Sequence, residues 1–195
     1  MNRLLTLSCL ALLLLSACKQ PAGEDATPPP AAPATAAATS EATAPPDKPA
    51  EAAAAKPEQP TLQVDTLDGK RYDLVDHRGN WVVVNFWATW CGPCLKEMPD
   101  LSALDAMREH IDVIGLAYED IQPAELKAFL QQHPVVYPIA IVDVYDPPKD
   151  FATPVGLPTT YLIAPDGKVA KHFLGPVTAA DIDAAIAAAG GPQAG

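Results

Sequence analysis

Aromatic residues make up only 6% of this 195-residue chain, basic residues number 13 against 24 acidic ones, and there are four cysteines. Each shortage excludes something. Proteins that hold DNA or RNA do so with clustered Lys and Arg, so a formal charge of −11 without a basic cluster removes nucleic acid as a partner. No apolar run is long enough to span a bilayer: Leu4 to Leu15, already interrupted by Thr6, Ser8 and Cys9, falls short of the roughly 20 residues needed to cross about 30 Å of hydrocarbon. The 42 residues from Lys19 to Pro60 contain no Val, Ile, Leu, Met or aromatic residue, which excludes a hydrophobic core there.

What stands at the N-terminus is an address. Arg3, the apolar run and the small residues after it form the pattern of a secretory signal peptide. The tetrapeptide Leu15-Ser16-Ala17-Cys18 resembles a bacterial lipobox. That resemblance implies a lipoprotein signal peptide over residues 1–17, cleavage before Cys18, and acylation of Cys18 by more than one chain, enough for stable attachment to a lipid bilayer. Lys19, where inner-membrane lipoproteins of the enteric type carry Asp, is compatible with either envelope membrane.

Between Lys19 and Pro60 stand 15 Ala and 10 Pro. This composition predicts a disordered, semi-extended tether over residues 18–60, with a reach of at most about 130 Å at about 3.1 Å per residue. The globular part is expected over residues 61–190, followed by a disordered tail at 191–195.

Within it, Leu62 to Val64 and Tyr72 to Val75 flank an Asp68-Gly69 turn and predict a hairpin. Trp81 to Trp87 is an apolar run with one polar residue, Asn85, and reads as a fully buried strand. Apolar residues three and four apart predict a helix over Cys94 to His110. A strand at Ile111 to Ala117, a helix at Pro123 to His133 and a strand at Ile139 to Val142 come next. A hairpin then joins Thr160–Ala164 to Val169–Phe173 across Pro165-Asp166-Gly167-Lys168, and Thr178 caps an alanine-rich helix stopping at Gly190-Gly191. Strands alternating with helices give an α/β layer fold around a central mixed sheet.

Processing of this kind removes Cys9 and consumes Cys18, which leaves Cys91 and Cys94 as a pair. A structural disulfide, half a zinc site and a redox-active dithiol are the three readings. A loop this small gains little from closure. No second cysteine pair completes a zinc site, and His77, His110, His133 and His172 lack ligand spacing, so no metal is expected. Redox chemistry is favoured by position: Cys91 falls where a buried strand hands over to a helix, and the positive end of the helix dipole favours a thiolate.

The stretch Val84-Asn85-Phe86-Trp87-Ala88-Thr89-Trp90-Cys91-Gly92-Pro93-Cys94 resembles the active-site strand and turn of the thioredoxin superfamily, in its secreted TlpA-like and ResA-like branch. Glu97 and Pro99, Gly156-Leu157-Pro158-Thr159-Thr160 and Pro165-Asp166-Gly167 extend the likeness over nearly the whole globular part. The resemblance implies a thioredoxin-like fold with an N-terminal hairpin extension, and a thiol:disulfide oxidoreductase without a cofactor. It implies Cys91 as the attacking thiolate, Cys94 as the resolving thiol, and Glu97 as an acid near the dithiol that tunes its proton transfers. Pro158 matches a cis-proline loop whose Leu157 pairs its backbone with an extended substrate, while Trp90, Gly92 and Pro93 belong to the docking face and Pro99 is expected to kink the helix. Asn85 departs from thioredoxin itself, which has a buried aspartate at that position. The Pro-rich segment Val144 to Asp150 stands where relatives often carry a short helix, and is expected to be a loop that adjoins Pro158 and sets substrate choice.

The direction implied is reduction of protein disulfides in the bacterial envelope, as in cytochrome c maturation or related assembly of cysteine proteins, with a membrane electron-transfer protein as reductant. A disulfide-forming oxidase is the alternative on the same residues. Copper delivery needs a wider cysteine spacing, and a thiol peroxidase a Thr where Ala88 stands. A non-catalytic binding module is the remaining alternative.

Overall fold

The computed structural model describes residues 56–192. The signal peptide, Cys18 and most of the predicted tether lie outside the described residues, as do the last three residues of the predicted tail. Among the described residues no helix is long and apolar enough to cross a membrane.

An antiparallel hairpin, β1 (Gln63–Asp65) with β2 (Arg71–Asp73), leads through a 3-10 turn (Leu74–His77) into β3 (Trp81–Trp87). Then come α1 (Gly92–Met107), β4 (Ile111–Tyr118), α2 (Pro123–Gln132), β5 (Ile139–Val142), β6 (Thr159–Ile163), β7 (Val169–Leu174) and α3 (Ala179–Ala188). The five-stranded sheet has the order β5-β4-β3-β6-β7, parallel from β3 to β5 and antiparallel across β6 and β7. It is the thioredoxin-like arrangement, a central mixed sheet with helices packed against it.

β3 sits in the middle of the sheet, so every residue from Trp81 to Trp87 is buried. Strand alternation then sorts its side chains between two cores. Trp81, Val83 and Trp87 share one core with Leu101 and Leu104 of α1, Leu126 of α2 and Ile182 and Ile186 of α3. Val82, Val84 and Phe86 face the other way, where Leu62, Tyr72, Leu74 and Phe151 close the sheet in place of a helix. Asn85 falls on the helix face, a polar residue among apolar neighbours, and this parity directs it toward α1.

Most element boundaries fall within one or two residues of the sequence expectations, with Tyr72–Val75 divided between β2 and the 3-10 turn, and differences in three parts of the chain bear on the site or the ends of the domain. α1 begins at Gly92 rather than Cys94, because Cys91 caps the helix and the fixed φ of Pro93 suits its first turn. It ends at Met107, whose side chain is 71% exposed and off the apolar stripe. Second, the end of the predicted tether is not free: Val169 donates its N–H to Glu58 O at 3.0 Å, Gln59 donates to Asp166 O at 3.0 Å, and Pro60 is buried. Thr61 donates both its N–H and its hydroxyl to Asp150 Oδ2, at 2.8 and 2.7 Å. One backbone hydrogen bond to the first residue of β7, with the Gln59 and Thr61 contacts, fastens residues that composition alone assigns to the tether. Third, Gly191 donates to Ile186 O at 2.9 Å and packs against Trp81 where a Cβ would clash, so contacts run past the predicted start of the tail. The Val144 to Asp150 segment is a loop, as its prolines predict.

Candidate active site

The end of β3 and the start of α1 are separated by Ala88 to Cys91, a turn tied down from both sides. Cys91 donates its N–H to Ala88 O at 3.1 Å, and Leu95 donates to Cys91 O at 3.1 Å. Glu119, just past β4, takes the Thr89 N–H at 2.6 Å and the Thr89 hydroxyl at 2.9 Å. β4 lies parallel to β3 with Trp87 opposite Ala117, so two residues further along each strand Thr89 and Glu119 face each other. This clasp escaped the sequence reading, although register arithmetic on two parallel strands brings the two positions together.

Cys91 and Cys94 are joined as a disulfide with Cα atoms 5.3 Å apart. Cys91 is the N-cap residue of α1, and its Sγ accepts the Cys94 N–H at 3.3 Å. The same unpaired N–H groups and the helix dipole favour negative charge on Cys91 once the bond is reduced. Both cysteines are buried side chains, whereas Gly92 and Pro93 are exposed and open the approach to the sulfurs.

Glu97 follows Cys94 by three residues, hence on the same face of α1 one turn on. It is 3% exposed. Its Oε1 accepts from Asn85 Nδ2 at 2.8 Å and its Oε2 from Val177 N–H at 2.8 Å. Asn85 gives its other amide hydrogen to Thr160 Oγ1 at 2.9 Å, so β3 and the connection before α3 meet at the α1 carboxyl and β6 is tied to it through Asn85. Among the described residues no Lys or Arg is paired with it. Burial raises the Glu97 pKa to about 7, against the two hydrogen bonds from Val177 and Asn85, which lower it. The group therefore exchanges a proton near neutral pH. Val177 sits in a connection with no sequence signal for this contact.

The Leu157–Pro158 peptide bond is cis. Pro158 is buried and accepts the Gly175 N–H at 2.9 Å, while Thr159 fixes the preceding turn through its hydroxyl to Gly156 O at 2.7 Å. Leu157 is half-buried against the core. Among the described residues its N–H and C=O join no backbone hydrogen bond. Leu157 and Trp90, the latter 70% exposed, line one surface cavity of about 420 Å³ together with Tyr118, Val144 and Val155. Val144, at the start of the loop expected to adjoin Pro158, lines this cavity together with Trp90, Gly156 and Leu157. Trp87 instead is fully buried in the core. Pro99 stands inside α1 without ending the helix.

A family model described as Redoxin matches residues 45–186. The chain is 36% identical over 123 residues to thiol-disulfide oxidoreductase ResA of Bacillus thuringiensis subsp. konkukian, covering 62% of this chain and 70% of that one. It is 33% identical over 131 residues to ResA of Bacillus subtilis, covering 62% and 68%. Among solved structures, a thiol:disulfide interchange protein of the thioredoxin family from Chlorobium tepidum superposes with a TM-score of 0.59 at 26% identity, over 71% of this chain and 99% of that one.

Proposed function

Since the chain belongs to the Redoxin family and is a thiol:disulfide oxidoreductase similar to ResA, we propose that Cys91 and Cys94 are its reacting dithiol and that it reduces disulfides of envelope proteins. The observation that carries this reading is the pair itself: two sulfurs at the N-terminus of α1, one turn from a buried acid with a pKa of about 7.

In the reduced protein the Cys91 thiolate attacks one sulfur of a substrate disulfide. A Cys91–substrate disulfide forms, the substrate S–S bond breaks, and the other substrate sulfur leaves as a thiolate and takes up a proton. Cys94 then gives its proton to Glu97 and attacks Cys91 Sγ, which closes the Cys91–Cys94 bond and expels the second substrate sulfur as a thiolate that takes up a proton from water. Two electrons pass from the protein to its substrate. Glu97 is the base for the second step. A carboxylate whose pKa is raised to about 7 is a stronger base than an ordinary one while still partly ionised at neutral pH, so it accepts the Cys94 proton and returns it when the protein is recharged. Leu157 offers its open backbone groups to the substrate chain, Pro158 holds that position, and Trp90, Gly92 and Pro93 form the rest of the docking face.

The Gly92-Pro93 dipeptide supports the reducing direction, which requires a membrane electron-transfer protein as donor in an oxidising compartment. The Leu15-Ser16-Ala17-Cys18 tetrapeptide supports anchoring through acylated Cys18, with residues 18–57 as tether. Assembly of cysteine proteins, cytochromes c among them, is the process this activity serves.

Trapping tests it. A Cys94→Ser full-length protein expressed in its host stalls at the mixed disulfide and accumulates covalent partners released by dithiothreitol, and Cys91→Ser accumulates none. A redox potential near about −250 mV is expected, and one near about −120 mV would reverse the assigned direction.

A further inference from the structure

The cavity beside the dithiol turn has a chemical bias. Its apolar walls are open to solvent: Trp90 is 70% exposed, and Val155, in the loop before Pro158, is 89% exposed. The remaining wall is acidic, formed by Glu119 and Asp120 after β4. A neighbouring cavity of about 350 Å³ shares Glu119, Asp120 and Val144 and adds Asp143 and Tyr145, the latter 89% exposed. Neither cavity has a Lys or Arg in its walls. Glu119 is occupied by Thr89. Asp143 spends one oxygen on the Tyr145 N–H at 2.8 Å, and neither Asp120 nor Asp143 takes part in an ion pair among the described residues. The one cation of the 144–150 loop, Lys149, lies 3.6 Å from Asp146.

We infer that this double groove selects cationic substrate segments: an extended cysteine-containing chain with an apolar side chain beside the cysteine, seated against Trp90 and Val155, and a Lys or Arg a few residues away, facing Asp120 and Asp143. The inference rests on the assignment of Cys91 and Cys94 as the reacting pair. The groove is continuous with that pair through the turn Trp90-Cys91 and with Leu157, where the substrate backbone is held. Unpaired carboxylates in a partly apolar recess favour a partner that brings the opposite charge and disfavour one that brings the same charge. The preference is electrostatic, so it acts mainly on the association rate and weakens with salt.

The test uses the reduced full-length protein and two synthetic disulfide-containing peptides, identical except that Lys in one replaces Glu in the other at positions two to four residues from the reacting cysteine. The second-order rate of peptide reduction is read at low and high ionic strength. The Lys peptide is expected to react about tenfold faster at low salt, with the ratio shrinking in molar salt. In the Asp120→Asn, Asp143→Asn double variant the ratio falls toward one because the Lys peptide slows and the Glu peptide quickens. General damage to the domain would slow both peptides alike, and that result counts against the groove. A double neutralisation elsewhere on the surface, Asp76→Asn with Glu109→Gln, keeps the ratio. Loss of the ratio in that control would assign it to the net charge of the domain and overturn the inference. Equal rates for both peptides overturn the inference and leave the dithiol assignment standing, whereas failure to reduce either peptide or dithiobis-nitrobenzoate overturns both.

Discussion

Asn85 and Glu97, 12 residues apart in sequence, are joined by an amide–carboxyl hydrogen bond of 2.8 Å in which both partners are buried. A strand from the centre of the sheet thereby holds the acid of the dithiol helix. The bond fixes where the carboxyl stands, while its surroundings fix when it ionises.

Stability should depend on pH through this acid. Its folded pKa of about 7 lies above the ordinary 4.5, so below pH 4.5 folded and unfolded chains are both protonated. Between 4.5 and 7 the unfolded chain loses its proton first, and folding stability falls as pH rises through that window. The fall should approach about 3 kcal/mol, and Glu97→Gln should remove most of the slope. Urea unfolding at closely spaced pH values from 4 to 8 measures it. A slope retained in Glu97→Gln would assign the dependence to other groups.

Asn85→Asp would place a second carboxyl against the first. Two such groups share one proton before both ionise. The variant should be close to the parent in stability at pH 5 and weaker by roughly 2–4 kcal/mol at pH 8, where the second charge is forced into the buried site. Equal losses at both pH values would point to the missing amide donor alone.

The clasp on Thr89 gives a third expectation. Glu119→Ala removes an acceptor from the Thr89 N–H and hydroxyl, and hydrogen bonds to charged groups contribute about 1.5–3 kcal/mol each. A stability loss of about 2–3 kcal/mol is expected in urea, with faster amide exchange at Thr89 and Trp90. Exchange at those amides unchanged from the parent would mean that the turn holds itself.

Gly115, buried in β4, leaves no room for a side chain. A Cβ there would stand 2.5 Å from Ile139 Cδ1, 3.0 Å from Tyr137 Cε2 and 3.1 Å from Trp87 Nε1. Gly115→Ala should therefore cost about 1–3 kcal/mol through overpacking. The thermal midpoint is the measurement, and a variant as stable as the parent would show that the Ile139 and Tyr137 side chains yield freely.

What the sequence revealed and what it hid follow from the range of the interactions concerned. β3 was readable over Trp81 to Trp87 because a strand buried on both faces is apolar throughout. The dithiol turn was readable because Cys91, Gly92, Pro93 and Cys94 are local in sequence. Glu97 was singled out by the resemblance to the ResA-like branch, yet its burial and its Val177 partner come from an 80-residue separation that local patterning does not encode. The fastening of Glu58 and Gln59 to the β6–β7 hairpin was hidden for a different reason. It is made by backbone groups and one polar side chain within a Pro- and Ala-rich stretch, and composition carries no record of backbone pairing.

That fastening has a mechanical meaning. Residues 58–61 are bonded to Val169, Asp166, Arg78 and Asp150, on the β6–β7 hairpin, the segment before β3 and the loop before Pro158, and to no residue of the turn Ala88 to Cys91. Tension along the chain from the N-terminal side would be met at these bonds and at the contact of Lys56 with Lys149 O ahead of them. A pull there would be divided between β7, the loop before Pro158 and, through Arg78, the segment leading to β3, so several bonds would share it before it reached the dithiol helix.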